Sequence, residues 1–179
     1  MCDIAVWAEE PERAAKEYAV AVSWDPSQVN YAQLNDSLGS RGLVTCLKQG
    51  LTAPKRVVSL KAVKGLKGIS SAKGTLTIGA MTPHAEVAGS ADVCAKIPAL
   101  ADLAESIGDL QVRNRGTIGG SIANNDPAAD YPAAVVGLGA TVHTNARTIA
   151  ADDFFTGLLE TALNDGEIIT AVSFPVPDK

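Results

Sequence analysis

The sequence has few aromatic residues, few cysteines and no long hydrophobic run. Only 4% of its 179 residues are aromatic, whereas 46% are hydrophobic, so the core must consist mainly of Val, Ile, Leu and Ala. Small side chains let backbones pack closely, which favours helices packed against a sheet. No segment approaches the roughly 18 consecutive apolar residues of a transmembrane helix. The composition excludes a disordered chain and predicts one domain, or two small lobes that share a ligand cleft.

The cysteines are too few and too widely spaced to organise a fold or a metal site. Cys2, Cys46 and Cys94 include no C-x2-C pair, which argues against a disulfide framework, a zinc site or an iron–sulfur cluster. The N-terminus also lacks the basic residues and apolar stretch of a secretory signal. These features predict a cytoplasmic protein with no metal site of its own.

Positive charge is scarce and unevenly distributed. The formal net charge is −5, which argues against a general binder of nucleic acid or anionic membranes. Eight Lys or Arg and no acidic residue lie between Arg41 and Lys73, whereas thirteen acids and five bases lie from Leu76 to the end. The basic segment is either a solvated surface or a positive rim near an anionic cofactor or an acidic partner subunit.

Hydrophobic periodicity predicts an N-terminal α/β lobe over residues 1–62 and a second lobe over 63–179. In the first lobe it predicts strands at 4–8, 19–24 and 56–60, helices at 11–19 and 43–51, and a turn-rich segment at 25–42. In the second it predicts a hairpin over 69–80 that turns at Lys73 and Gly74, helices at 83–88 and 98–107, a turn capped by Asp152 and Asp153, and a final strand that ends at Pro175. Thr82 is the expected cap of the helix at 83–88.

The most informative segment is VRNRGTIGGSIANNDPAADYPAA, residues 112–134. Gly119 and Gly120 lie between two hydroxyl residues, Thr117 and Ser121. Such a turn can present successive backbone N–H groups to a phosphate, and the absent Cβ atoms let a bulky ligand approach. The alternative is an ordinary tight turn. The pattern is neither the Rossmann nor the P-loop motif.

Acidic and amide residues follow the glycines at positions typical of helix caps. Asn124, Asn125 and Asp126 precede Pro127, and Asp130 precedes Tyr131-Pro132. Asp130 is expected either to cap a helix or to accept a hydrogen bond from a ligand hydroxyl or amide.

The two histidines do not indicate a catalytic site. His84 is expected at a helix start and His143 in a strand, and neither has a partner that suggests a triad or a metal site. No residue is therefore predicted to be catalytic, and any chemistry is expected to come from a bound cofactor.

Three segments together resemble one family. TLTIGAMTPHAEVA (75–88), QVRNRGTIGGSIANNDPAADYPAAVVGLGA (111–140) and DDFFTGLLETALNDGEIITAVSFP (152–175) closely resemble the FAD-binding subunit or domain of molybdopterin dehydrogenases, the group of xanthine dehydrogenase, the carbon monoxide dehydrogenase medium subunit and aldehyde oxidoreductase. The resemblance implies an α+β fold of the PCMH type, similar to vanillyl-alcohol oxidase. Its two lobes would be a small N-terminal α/β lobe and a larger lobe whose mixed or antiparallel sheet is flanked by helices.

The resemblance also implies which residues contact the FAD. The segment Thr117, Ile118, Gly119, Gly120 and Ser121 matches the loop that holds the pyrophosphate, and Asn124 and Asp130 match further cofactor contacts. Ile107 and Ile169 match apolar positions that line the flavin or adenine, although either could be plain core.

The match departs from the family pattern in the first pyrophosphate loop, expected at 38–42. Gly39 matches, Ser40 stands where the family has glycine, and Gly42 stands where it has a hydroxyl residue. Arg41 could offset the lost donor by its charge. The first 37 residues instead resemble a β-α-β stretch of the molybdopterin-binding large subunit, and no part of the sequence matches the family's C-terminal domain.

The resemblance leaves two functions open. One is an FAD-carrying electron-transfer component of a molybdenum hydroxylase, with a molybdopterin-binding large subunit and a 2Fe-2S small subunit as partners. Electrons would pass from the iron–sulfur clusters through FAD to an acceptor. The other is a truncated or rearranged non-catalytic remnant or assembly module that binds FAD weakly or not at all.

Overall fold

The computed structural model describes residues 3–6, 56–60, 63–164 and 166–177, with the backbone alone for 3–6 and 56–59. Strand β1 (Asp3–Val6) pairs in parallel with β2 (Arg56–Ser59), so two strands predicted in the first lobe are present. The other elements predicted between residues 11 and 51 lie outside the described residues, as does the loop of Gly39, Ser40, Arg41 and Gly42.

A five-stranded antiparallel sheet forms the centre of the remaining chain, in the order β3-β4-β9-β5-β6. Its strands are β3 (Ile69–Ala72), β4 (Thr75–Gly79), β5 (Thr141–Thr144), β6 (Thr148–Ala150) and β9 (Ile169–Pro175). A separate small hairpin consists of β7 (Phe155–Gly157) and β8 (Glu160–Thr161). The last strand, β9, lies between β4 and β5 and so joins the two halves of the sheet.

The hairpin β3–β4 turns at the residues that the sequence predicts. Lys73 and Gly74 both have positive φ, at 50° and 75°, as a two-residue turn between twisted strands requires. Along β4, Leu76 and Ile78 are buried while Thr77 is only half-buried. This period of two indicates that one face of the sheet packs against the core.

Seven short helices are found in the described part of the chain. They are α1 (His84–Ala88), α2 (Ala91–Lys96), α3 (Pro98–Ser106), α4 (Leu110–Arg113), α5 (Ile118–Asn124), α6 (Asp130–Gly137) and α7 (Ala151–Phe154). As predicted, α3 begins with proline. None of these helices is long and apolar enough to cross a membrane.

Thr82 does not cap α1, contrary to the prediction. The N-cap position is Pro83, and the Thr82 hydroxyl instead accepts a hydrogen bond from the N–H of Gly68 at 3.0 Å and donates one to its carbonyl at 3.1 Å. Thr82 therefore fastens the loop before β3 to the segment that leads into α1. A cap assigned from sequence fails here because the hydroxyl is hydrogen-bonded to both backbone groups of Gly68, 14 residues away in sequence.

The core lies between the sheet and the helices. Its fully buried side chains come from the strands (Leu76, Ile78, Val142, Ile169, Val172 and Phe174) and from the helices (Val87, Leu100, Ile118, Ile122, Tyr131, Val135 and Phe154). Aliphatic side chains dominate this set, in agreement with the low aromatic content. The same layer holds α5 against β4 and β9.

Candidate cofactor-binding site

The two adjacent glycines lie inside a helix rather than in a tight turn. Thr117 is the N-cap of α5, and its Oγ1 accepts a hydrogen bond from the N–H of Gly120 at 3.2 Å. Threonine is a favoured N-cap because its hydroxyl satisfies an amide that the first helical turn leaves free. Gly119 and Gly120 are thus the second and third residues of α5, and the expectation of a turn at this point is wrong.

The backbone amides of this segment are bound by the protein itself. Ile118 donates to the carbonyl of Thr82 at 3.3 Å, Gly119 to that of Ala80 at 2.9 Å and Ser121 to that of Thr117 at 3.0 Å. The predicted cradle of backbone N–H groups for a phosphate is therefore wrong in this form. The amides instead fix the start of α5 to the chain that leaves β4.

Gly119 is small because α5 approaches β4 closely. A Cβ atom at this position would lie 2.5 Å from the Cβ of Ala80 and 2.8 Å from its carbonyl oxygen. Such distances are well inside van der Waals contact, so no larger residue fits without movement of the helix. The glycine is therefore needed for packing against Ala80.

The polar side chains of α5 form one face, which we call the α5 polar face and define as Thr117, Ser121 and Asn124. These residues are four and three positions apart, so they lie above one another along the helix. Ser121 and Asn124 are half-buried, whereas the neighbouring α5 residues at 118–120, 122 and 123 are buried. The apolar side of α5 faces the core, and Ser121 and Asn124 lie on the partly exposed side, whereas Thr117 is 1% exposed.

Side chains of the α5 polar face have unused hydrogen-bonding capacity. Within residues 63–164 and 166–177, no protein group hydrogen-bonds to the side chains of Ser121 or Asn124. Thr117 uses its oxygen as an acceptor, so its hydroxyl proton is left to donate. The half-buried members of this face, Ser121 and Asn124, therefore offer a hydroxyl and an amide to a ligand, whereas the hydroxyl of Thr117 is buried.

Asp130 lies at the start of the next helix with a free carboxylate. It is the first residue of α6, whose N-cap is Ala129, and its side chain is exposed. The expected capping role of Asp130 is thus wrong, and in the described part of the chain nothing hydrogen-bonds to its carboxylate. A carboxylate in the first turn is favoured by the helix dipole and can accept a hydrogen bond from a ligand.

Asp126 and Asn125 organise the turn between α5 and α6. Asp126 accepts a hydrogen bond from the N–H of Ala128 at 2.8 Å, and no helix begins at Pro127 as the sequence suggests. Asn125 ends α5 in the left-handed conformation, with φ 44°. Its Nδ2 donates to the carbonyls of Gly157 and Glu160 at 2.8 and 2.9 Å, which ties the hairpin β7–β8 to the end of α5.

The two isoleucines expected to line the cofactor occupy different environments. Ile107 follows α3, is half-buried and packs at the edge of the core. Ile169 is completely buried within the core, which favours the plain-core alternative for this residue. Ile118 is likewise fully buried, so its side chain serves packing.

Both histidines have the structural positions predicted for them. His84 begins α1, and burial lowers its pKa to about 4. His143 lies on β5, where its Nε2 is 2.8 Å from the Oγ of Ser173. Neither lies in a nucleophile–base–acid arrangement with the residues that the structure describes.

An ion pair between the buried Glu167 and the exposed Arg147 lies close to β9 and is not predicted from the sequence. Glu167 is only 3% exposed and accepts hydrogen bonds from Arg147, Thr144 and the N–H of Asn164. Burial tends to raise the pKa of Glu167, but these hydrogen bonds and the charge of Arg147 outweigh it and lower that pKa. The pair was missed because its members are 20 residues apart in sequence and carry no local motif.

Comparison with known proteins identifies the family. The model of the FAD binding domain in molybdopterin dehydrogenase matches residues 30–177. The glyceraldehyde dehydrogenase medium chain of Sulfolobus acidocaldarius is 34% identical over 144 residues, which cover 78% of this chain and 51% of that protein. The carbon monoxide dehydrogenase medium chain of Afipia carboxidovorans is 38% identical over 143 residues, 78% of this chain and 50% of that one. The chain thus spans about half the length of these relatives.

Solved structures agree with the family match. Carbon monoxide dehydrogenase from Hydrogenophaga pseudoflava has a TM-score of 0.83 and 29% identity, and the match covers 99% of this chain and 60% of that chain. Quinoline 2-oxidoreductase from Pseudomonas putida 86 gives the same values. The expected α+β fold of the PCMH type is confirmed by these matches and by the antiparallel sheet with its flanking helices. The chain belongs to the family of FAD-binding domains of molybdopterin dehydrogenases.

Proposed function

We propose that this domain carries FAD as the electron-transfer component of a molybdenum-containing hydroxylase or dehydrogenase. Electrons would reach the flavin from the 2Fe-2S clusters of a partner subunit and leave to a separate acceptor. The family supports this proposal, since relatives are named as medium chains of carbon monoxide and glyceraldehyde dehydrogenases and as the FAD-binding subunit of xanthine dehydrogenase.

The α5 polar face is the observation that carries the proposal for this chain. Ser121 and Asn124 supply a hydroxyl and an amide on one side of a helix, with no protein partner in the described residues, and the buried Thr117 caps that helix. Such donors suit the oxygens of a pyrophosphate. They replace the backbone amides that the sequence suggested, because the amides are used within the protein.

Asp130 complements these donors with a single acceptor. Its exposed carboxylate at the start of α6 suits the hydroxyl groups of a ribose or ribityl chain, which can donate to it without a change of protonation. In FAD the pyrophosphate, which accepts hydrogen bonds, is next to sugar hydroxyls, which can donate them. Donors on α5 followed by an acceptor at Asp130 match that order.

The protein's contribution to catalysis is then positional. FAD accepts and releases electrons through its own ring system. The residues of this chain hold the cofactor in place and need not transfer protons.

The proposed partners are the molybdopterin-binding large subunit and the 2Fe-2S small subunit, in a cytoplasmic hetero-oligomer. Relatives named medium chain or FAD-subunit imply such assemblies. The basic segment between Arg41 and Lys73 is a candidate surface for the more acidic regions of such a partner.

One alternative function is favoured by a specific observation. The loop at 38–42 has Ser40 in place of the family's glycine and Gly42 in place of its hydroxyl residue, which places a Cβ where phosphate would approach and removes one donor. On this alternative the domain is a non-catalytic remnant or assembly module with weak or no FAD binding.

A titration with FAD distinguishes the two functions. The purified chain is expected to acquire a flavin absorbance spectrum and to quench flavin fluorescence with a measurable Kd. The double variant Ser121→Ala/Asn124→Ala is expected to bind at least about tenfold more weakly, since it loses two hydrogen bonds to the pyrophosphate. The control is Ser70→Ala/Asn114→Ala, which removes the same two residue types at exposed positions outside α5.

The possible results of the titration distinguish the proposed function from the assignment of the α5 polar face. A folded wild-type chain that ignores excess FAD favours the remnant. Wild-type binding that the Ser121/Asn124 variant leaves unchanged contradicts the assignment of the α5 polar face but not the FAD-carrying function.

A further inference from the structure

Two buried polar atoms stand out in the core. Within residues 63–164 and 166–177, Nδ1 of His84 and the hydroxyl of Tyr131 are the buried side-chain atoms that have no hydrogen-bond partner. His84 is 1% exposed and Tyr131 is completely buried. Buried polar groups of native proteins are nearly always paired, so each such atom requires an explanation.

The two unpaired atoms belong to side chains that touch. The rings of His84 and Tyr131 have centroids 5.1 Å apart and an interplanar angle of 41°. If the atoms were unrelated lapses in packing, there would be no reason for both to occur in one ring pair. The contact between the two rings brings both unpaired atoms into one part of the core.

A water molecule has the chemistry that both atoms require. Burial lowers the pKa of His84 to about 4, so its ring is neutral near pH 7 and has one donor and one acceptor nitrogen. A phenol hydroxyl can likewise donate and accept. Buried waters typically make about three hydrogen bonds to polar groups that would otherwise be unsatisfied.

We propose that one buried water molecule bridges Nδ1 of His84 and the hydroxyl of Tyr131, and that this polar link makes both of them positioning residues for the cofactor site. The proposal rests on the contact between the two rings and on the location of each residue. Its functional part rests on the proposed FAD contacts.

His84 is joined directly to the segment that begins α5. Its N–H donates to the carbonyl of Gly116 at 2.9 Å, and the preceding residue, Pro83, pairs with Thr117. The backbone of His84 is therefore tied to the chain at the N-cap of α5.

Tyr131 occupies the corresponding place on the other side of the site. It follows Asp130 in the first turn of α6, and its side chain is completely buried. The bridge would connect the chain beside Thr117 to the chain beside Asp130 and set their separation. A polar link is directional, whereas apolar packing alone allows small sliding motions.

The stability of the Tyr131→Phe variant tests the bridge, because this substitution removes only the hydroxyl group and keeps the ring. Loss of the hydroxyl is expected to lower the folding equilibrium constant about tenfold, as for a made buried hydrogen bond. If the hydroxyl had no partner, phenylalanine would be equally stable or more stable, and that result overturns the proposal.

A double-mutant cycle tests whether the two residues share one partner. With His84→Phe and Tyr131→Phe, the loss in the double variant is expected to be smaller than the product of the two single losses, because either change alone breaks the bridge. Independent effects contradict a shared partner. A crystal structure of the wild-type chain should show one water within hydrogen-bond distance of both atoms, and its absence would also overturn the proposal.

Cofactor affinity tests the positioning role. Tyr131→Phe is expected to raise the Kd for FAD about three- to tenfold, by an amount that corresponds to one misplaced hydrogen bond, under conditions where the variant is folded. Val135→Ala is the control, since Val135 is also fully buried on α6 and its truncation should lower stability without a change in Kd. Equal Kd values for wild type and Tyr131→Phe would refute the positioning role.

The two proposals fail separately. If the wild-type chain does not bind FAD, the proposed function is wrong while the stability cycle still decides whether the bridge exists. If the wild type binds FAD and the cycle is additive, only the bridge is wrong.

Discussion

Gly119 donates its backbone N–H to the carbonyl of Ala80 at 2.9 Å, and a Cβ atom on Gly119 would lie 2.5 Å from the Cβ of Ala80. The hydrogen bond and the close approach have the same cause, since α5 can reach the end of β4 only where neither residue has a larger side chain. The position of the α5 polar face therefore depends on this contact.

Gly119→Ala is expected to destabilise the fold by about 2 kcal/mol or more, because the added methyl group overlaps both side chain and backbone of Ala80. Gly137→Ala is the matched control. Gly137 also lies in a helix, but a Cβ there meets nothing within 4 Å, so alanine should be neutral or stabilise by up to about 1 kcal/mol. Urea unfolding of both variants measures the difference, and similar free energies of unfolding would contradict the packing argument.

Asn125 should be difficult to replace, because it combines a left-handed backbone with two hydrogen bonds to the hairpin β7–β8. Asn125→Ala is expected to cost about 2 to 3 kcal/mol from the lost hydrogen bonds and the unfavourable conformation together. Asn125→Gly keeps the conformation accessible and should recover about 1 kcal/mol of this loss. Thermal unfolding in which the glycine variant is no better than the alanine variant would show that the backbone conformation has no part in the effect.

Because of His84, the free energy of unfolding should decrease as the pH is lowered. Burial lowers its folded pKa to about 4 from an unfolded value of about 6.5, so between these values the unfolded chain binds the extra proton. The stability that comes from keeping His84 neutral is fully present above about pH 6.5 and is lost progressively towards about pH 4.

Urea unfolding between pH 7 and pH 4.5 measures this dependence. His84→Phe should reduce the slope by up to about 1.4 kcal/mol per pH unit, the value for one proton. His143→Gln is the control, since His143 is only half-buried on β5. The prediction is wrong if the His84 variant keeps the wild-type slope.

Glu167 should contribute stability at neutral pH. Its carboxylate is paired with Arg147 and Thr144, and its pKa is lowered in the folded state. Its contribution is therefore present above the unfolded pKa, about 4.3, and is lost as the pH falls through the folded pKa. Glu167→Gln is expected to cost about 2 kcal/mol at pH 7, with a smaller difference from wild type below about pH 4. A difference that stays constant down to pH 3 would argue against the ionised pair as its source.

Local sequence patterns are sufficient to predict those elements that depend on only a few consecutive residues. The hairpin at Lys73 and Gly74 and the helix that begins at Pro98 follow from turn and helix-start preferences, and both are confirmed. The two glycines of α5 misled the interpretation because glycine is typical of turns. Their helical conformation is determined by the Thr117 cap and by packing against Ala80, and the second of these is a long-range contact that no local pattern reveals.

The resemblance names more candidate site residues than physical reasoning from the sequence does, and their role in cofactor binding stays a prediction. The resemblance names Thr117, Ser121 and Asn124 as cofactor contacts, and the residues alone predict backbone amides as the donors. Their arrangement on one helix face depends on where α5 begins. Tyr131 was not singled out, because a buried tyrosine without a hydrogen-bond partner is visible only once its surroundings are known.

Substitutions at Asp130 and Asp126 distinguish effects on cofactor binding from effects on folding most clearly. Both are exposed acids between α5 and α6, yet Asp126 accepts a hydrogen bond from the N–H of Ala128, whereas Asp130 has no protein partner in the described residues. Asp130→Asn is expected to raise the Kd for FAD about tenfold, since a charge-assisted hydrogen bond is lost, and to change stability by less than about 1 kcal/mol.

Asp126→Ala should show the opposite pattern, with a loss of about 1 kcal/mol in stability from the turn and a smaller effect on FAD affinity. Fluorescence titration with FAD and urea unfolding of the two variants give the comparison. If Asp130→Asn binds FAD as tightly as the wild type, then Asp130 is a surface carboxylate at the start of α6, and the acceptor for the sugar hydroxyls must lie elsewhere in the chain.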